Sequence, residues 1–305
     1  MRTKLSMFFV AVLALGLSAV SAEAQQRGGV LKFATPSVKP GLDPARTRTG
    51  DGYMLTAMIF SNLTRISHEL KPEPQLAHKW ETNDDSSEWT FHLRKDAKFT
   101  NGRPVVASDV KFSIDRILDP KTASKGRKAL GPIKEIVVKG DHTVLFKLKG
   151  PYADLALQLG NTFSRIIAKE NLADIANKPI GSGPFILKEY VPGNKAILVR
   201  NPNYFEKGLP YLDEVHQIYI KEYAAQVSAL KTGEIDIMYF APVEIVDQLK
   251  KDPNIEVKMV SAPSFQPLIM WVTEKPFNDV RVRQALRFAV DRKAMLEAAT
   301  GGLGV

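Results

Sequence analysis

Hydrophobic and polar positions in this 305-residue chain follow two periods, and stretches of each take turns along the sequence. Residues 88–94 (EWTFHLR) alternate one by one, which puts Trp89, Phe91 and Leu93 on one face of a half-buried strand. Val30–Thr35 and residues 133–139, 143–149 and 215–220 are short runs rich in β-branched residues, flanked by turn residues, and each reads as a strand. Gly140-Asp141-His142 closes the middle pair into a hairpin. Phe185–Val191 and Lys195–Arg200 make a second hairpin around Pro192-Gly193-Asn194. The helical period appears in residues 108–118, where Ser108-Asp109 caps the start and Val110, Ile114, Ile117 and Leu118 form a buried stripe. Asp119-Pro120 ends it. The same reading predicts helices over residues 52–62, 152–159, 170–176, Tyr223–Lys231 and 242–251, with strands over 235–240 and 255–260. Gly233 suits the left-handed cap that closes the helix before it. A last helix starts at Asn278 or Asp279, with Val282, Ala285, Leu286 and Ala289 in helical register.

After the second hairpin the pattern breaks without becoming polar. Asn201-Pro202-Asn203-Tyr204-Phe205 and the run from Lys207 to Asp213 mix turn residues with Tyr204, Phe205, Tyr211 and Leu212. A solvated linker has no use for such side chains, so this loop is expected to pack as a lid on a core. Trp80 and Trp89 fall in a strand pair and are read as core rather than as ligand-stacking residues.

Composition changes the picture at three points. The first 24 residues, with Arg2 and Lys4, an apolar run from Met7 to Val20 and Ala22-Glu23-Ala24, read as a secretory signal peptide cleaved after Ala24. The apolar run is shorter than the roughly 20 residues of a spanning helix. No cysteine occurs, which excludes disulfides, thiolate catalysis, cysteine metal sites and a lipidated N-terminal cysteine. The formal charge is +9, but the cationic residues are dispersed, so a solvated surface is favoured over a nucleic-acid patch. Export to a periplasm argues the same way.

Several motifs, in order and spacing, carry a family resemblance: PEPQLAHKWE followed by EWTFHLRKDAKFTNGRPV, then GSGPF at 181–185, RNPNYF at 200–205, PYLDE at 210–214, GEIDI at 233–237 and KPFNDVRVRQALRFAVDR at 275–292. Together they resemble the family 5 solute-binding proteins of ATP-driven importers, the peptide, nickel and oligosaccharide class. The resemblance implies a periplasmic-binding-protein-like type II fold of class α/β, with two lobes. Residues 25–62 and 180–268 would form a discontinuous lobe one and 63–179 an inserted α+β subdomain. Residues 269–305 would be a crossing strand and the start of an incomplete lobe two. It further implies a monomeric, periplasmic binding component that captures a peptide-like solute between its lobes and delivers it to a membrane permease. No enzymatic activity and no cofactor are expected. The resemblance covers only the first part of the family's pattern, with ~100–200 further residues expected, so weak peptide binding is anticipated for the 305-residue chain alone. At Trp271 the chain departs from the family, which usually carries asparagine in the crossing strand.

Ligand-facing residues are expected where strands end and segments cross. The candidates are Ser37 in the first loop, Tyr53 at the start of the first helix, Tyr239 and Phe240 at a strand end, and Trp271. Residues 37–43 read equally as cleft lining and as an ordinary connection, and core packing is an equal alternative for Phe240. A chemoreceptor ligand sensor is a second reading. A secreted serine hydrolase is a third, resting on S-x-x-K at Ser228 to Lys231 and K-T-G at Lys231 to Gly233. Those two motifs share one lysine, whereas a hydrolase needs them on separate facing elements. Ser108 to Lys111 shows how readily the first one arises. Gly181-Ser182-Gly183 lacks the outer glycines of a nucleophile elbow and reads instead as a sharp chain crossing. The five histidines show no ligand spacing, so no metal site is expected from this chain alone; a metal carried by the ligand stays open.

Overall fold

The computed structural model describes residues 27–36, 42–260 and 267–301. The signal peptide, its cleavage site and Ser37 lie outside the described residues. In chain order the first elements are β1 (Val30–Thr35), α1 (Gly50–Ile59), β2 (Thr64–Ile66), β3 (Pro72–Pro74), β4 (Ala77–Thr82) and β5 (Glu88–Leu93). Next come α2 (Ala107–Leu118), α3 (Gly126–Ala129), β6 (Ile133–Val138), β7 (Thr143–Leu148), α4 (Leu155–Gln158), β8 (Phe185–Val191) and β9 (Lys195–Arg200). The last are β10 (Glu214–Tyr219), α5 (Tyr223–Lys231), β11 (Ile237–Met238), α6 (Val243–Leu249), α7 (Val280–Ala289) and α8 (Arg292–Thr300).

Two sheets organise the chain. A five-stranded mixed sheet runs in the order β11-β1-β10-β9-β8, with β1 parallel to both β10 and β11 and the hairpin β8-β9 antiparallel beside them. Alternation along β1 sends Phe33 into the core beneath α1, with Leu55, Ile59, Phe60, Leu198 and Val215. Its neighbour Ala34 points to the opposite face, toward Ala229 of α5 and Ile235. Both faces are therefore covered, as a parallel arrangement requires. The second sheet is antiparallel, β4-β5-β7-β6, and its inner face packs on α2. Trp89, Phe91 and Leu93 are buried there as their alternation predicts, and Phe146 meets Phe91 edge to face. Trp80 packs partly buried against the same core. The predicted stripe of α2 is sealed at Val110, Ile114 and Ile117.

The loop after β9 does act as a lid: Phe205 is buried in the core of the second sheet, Tyr204 packs beside it, and Leu212 reaches the core under α1. Arg94 lies over the Phe205 ring and donates to its backbone carbonyl, which pins the loop from outside.

Several elements differ from their predicted extent. The helix cap is Val106, not Ser108; Asp109 occupies the third helical position and its carboxylate accepts from the Val106 N–H at 3.0 Å. Residues 152–159 give only α4, because Tyr152 is drawn out of the helix to cover Gly131 and to donate to the carbonyl of Ala129. Residues 170–176 give a single 3₁₀ turn at Lys169–Asn171. There the Asn171 side chain donates to the Lys178 carbonyl and accepts from the Ile180 N–H, closing a loop instead of continuing a helix. Residues 235–240 shrink to β11, and 255–260 are not a strand; Val260 is 86% exposed. β11 is the edge of its sheet, and residues 255–260 do not add to it. Residues 267–276 likewise form no crossing strand.

Candidate functional site

The carboxyl ends of β1, β10 and β11 lie side by side, the place where α/β sheets bind small molecules. Thr35 closes β1 and is fully buried. Gln217 of β10 donates to Thr35 Oγ1 at 3.1 Å and to the backbone carbonyl of Asp51 at 3.4 Å, which ties the first turn of α1 to these strand ends. Tyr219 ends β10. Burial pushes its phenol up, and the nearby Tyr190 and Asp51 push the same way, so it stays a neutral donor across physiological pH. Two buried polar atoms here have no partner: Gln217 Oε1 and Oγ1 of Thr49, the cap residue of α1. The edge thus offers hydroxyls, an amide oxygen and a helix N-terminus in a small space.

Tyr53 sits half-buried in the first turn of that helix, and its N–H donates to the Thr49 carbonyl. Tyr239 and Phe240 follow β11 directly and are 54% and 55% exposed. The Phe240 ring lies 6.1 Å from that of Tyr223, so it is a surface pair and not core. Trp271 is 72% exposed in an irregular stretch, and no ring contact joins it to Tyr53 or Tyr239 among the described residues. The structure groups Tyr53 with the strand ends and leaves Trp271 apart. Sequence reasoning missed Thr35, Asp51, Gln217 and Tyr219. The last residue of each predicted parallel strand was the available signal for Thr35 and Tyr219; nothing local marks Gln217.

Ser228 and Lys231 share α5, and Lys231 pairs with Asp252 at 3.6 Å, so the hydrolase motif assembles no site. Among the described residues no cluster of three or more histidine or acidic side chains could hold a metal. No helix of the described residues is long and apolar enough to cross a membrane. Elsewhere an open groove of about 800 Å³ lies between residues 43–46, the end of α2 and residues 172–176. Its floor is the Asp43–Arg116 ion pair, which satisfies itself.

A mixed sheet covered on both faces, with its parallel strand ends aligned on one side, is the architecture seen in periplasmic binding proteins. The model of bacterial extracellular solute-binding proteins, family 5, matches residues 71–305, and the chain belongs to that family. It is 31% identical to the probable D,D-dipeptide-binding periplasmic protein DdpA of Escherichia coli K12, over 86% of this chain and 53% of that protein. It is 30% identical to di/tripeptide-binding protein 1 of Pseudomonas aeruginosa, over 95% and 59%. The solved structure of the periplasmic binding protein DppA from Helicobacter pylori with peptide STSA superposes with a TM-score of 0.78 at 30% identity, over 91% of this chain and 59% of that one. The chain therefore spans somewhat more than half the length of the relatives it matches.

Proposed function

We propose that this chain provides the first lobe of a periplasmic substrate-binding component of an ATP-driven importer. Its solute is a small peptide-like molecule, held against the carboxyl ends of β1, β10 and β11 and handed to a membrane permease. The protein does no covalent chemistry. One observation carries the reading: three parallel strand ends converge on an uncapped helix N-terminus beside neutral donors and unused buried acceptors, in a chain whose relatives are named for binding peptides. Ligand capture by lobe closure needs contacts made only in the closed state, and exposed aromatics such as Tyr239 and Trp271 are suited to that wall.

In this reading residues 25–62 and 180–268 form lobe one, 63–179 the inserted subdomain, and 269–305 lead into lobe two. The five-stranded sheet draws its strands only from the two parts assigned to lobe one, and the four-stranded sheet only from the inserted subdomain, which supports the partition. Export follows cleavage after Ala24, and the protein works as a monomer. The test is uptake of labelled di- and tripeptides by the host with and without the gene. Loss of uptake for at least one peptide class is expected, and unchanged uptake across the panel overturns the reading.

A further inference from the structure

Cations look dispersed along this sequence, yet the fold gathers a group of them at one corner. The connection from the end of α2 through α3 has its inward positions fixed, because Thr122, Ser124, Gly126 and Leu130 are all buried. Gly126 lies against Phe163, where an added Cβ would be 2.3 Å from the ring. Lys121, Lys125, Arg127 and Lys128, set between those positions, are turned outward and exposed. Ala123 reverses the chain in the left-handed region, and its carbonyl accepts from Arg48 Nη2 at 3.3 Å. That contact brings a fifth exposed cation to the corner from the loop before α1.

The corner is not neutralised from within. Residues 120–134 contain no aspartate or glutamate, and none of the five cations forms an ion pair among the described residues. Two carboxylates border them: Asp119, which accepts from the Lys121 N–H at 2.9 Å, and Asp154, beside Tyr152. The helix just before behaves differently, since Lys111 of α2 pairs with Asp115 and Arg116 pairs with Asp43. Unpaired like charges held this close repel one another, and an anionic partner relieves that repulsion. Three of the five are lysines, point charges on flexible stems. Such groups suit a diffuse anionic surface better than a ligand of fixed shape.

We propose that the corner formed by Arg48, Lys121, Lys125, Arg127 and Lys128 docks on an anionic phospholipid surface, which would hold the exported protein near its permease. The proposal rests on the export reading for its setting, though not for its test. The probe is a vesicle of phosphatidylcholine with about 30 mol% phosphatidylglycerol, and pure phosphatidylcholine is the neutral control. The protein is the chain from Gln25 onward, without the apolar leader. Two variants remove equal charge: Lys121→Gln/Lys125→Gln/Arg127→Gln/Lys128→Gln at the corner, and Lys95→Gln/Lys139→Gln/Lys250→Gln/Lys251→Gln at exposed positions elsewhere.

Each cation near an anionic membrane strengthens binding about fivefold. Co-sedimentation at about 50 mM salt is therefore expected to weaken at least ~20-fold for the corner variant and under ~3-fold for the other. Wild-type binding should vanish at about 500 mM salt, and both variants should melt within ~3 °C of the wild type. Equal losses in the two variants would make net charge the cause and overturn the assignment. Equal binding to pure phosphatidylcholine would move the contact to the exposed apolar side chains and overturn it too. Retention on polyglutamate without binding to either vesicle would replace the lipid by an acidic protein partner. Peptide uptake that depends on the gene, with no vesicle binding, would overturn this proposal alone. Vesicle binding with uptake indifferent to the gene would spare this surface and sink the import reading.

Discussion

At Gly181 one methyl group decides whether two segments can touch. A Cβ there would lie 1.9 Å from the carbonyl oxygen of Ile59, and one at Gly183 would lie 2.5 Å from that of Met58. The backbone of 181–183 crosses the end of α1 at a distance only glycine allows, and the Gly183 N–H donates to the Ile59 carbonyl across it. Gly181→Ala is expected to cost at least ~2 kcal/mol or to abolish soluble expression, as read by urea unfolding. Arg103 makes a second residue-scale prediction. It holds Glu170 with two bonds, 2.8 and 3.0 Å, and pulls the Glu170 pKa down to about 2. The folded value is below the unfolded one, so the pair's contribution is complete above about pH 4.5 and is lost as pH falls through about 2. Glu170 is 39% exposed, so solvent screening limits the effect to under ~1 kcal/mol. Wild type should exceed Glu170→Gln by that small margin at pH 7, and the gap should shrink below pH 4.5. A gap that is constant from pH 7 to 2.5 would mean that the ion pair does not contribute.

Helices of similar sequence amphipathicity meet different fates at the element scale. α2 buries Val110, Ile114 and Ile117 against the antiparallel sheet, whereas α7 and α8 bury no residue, and Phe288 stands 83% exposed. Ile114→Ala is therefore expected to cost ~2–4 kcal/mol, while Phe288→Ala should leave the urea midpoint of the 305-residue chain unchanged. This contrast also marks what the sequence made legible. Val30–Thr35, Phe185–Val191, Lys195–Arg200 and Tyr223–Lys231 fall where periodicity and turn residues put them, because each finds its partner within the described residues. Ile255 to Val260 has the same alternation yet joins neither sheet, and without hydrogen-bonded pairing an alternating pattern does not make a strand. The candidate site was legible only as far as strand ends are. Gln217 looks like any polar residue in a strand; it gains meaning when Thr35 and the Asp51 carbonyl arrive from elsewhere in the chain.

Over the whole molecule the two cores are interlocked rather than stacked. Ala45 from the first loop and Phe205 from the lid are buried in the core of the antiparallel sheet. In exchange, Phe112 of α2 and Ile167 and Ile175 from the segment after α4 pack into the core beneath α1. Each core needs side chains from both sequence regions, so neither can unfold while the other persists. A single cooperative melting transition is expected for the body ending near Val260, and Phe91→Ala and Leu198→Ala should lower the same transition. Beyond that body, Leu268, Ile269 and Trp271 are 58%, 72% and 72% exposed, and Gly301, which caps α8, lies close to Val243 of α6. Exposed apolar side chains add nothing to the folded state of this chain and favour self-association. Ending the chain after Val260 is accordingly predicted to leave the melting temperature within ~2 °C of the 305-residue chain and to reduce aggregation seen by light scattering. A fall of more than ~5 °C would show that residues 261–305 brace the two cores, and with that the independence of the body would fail.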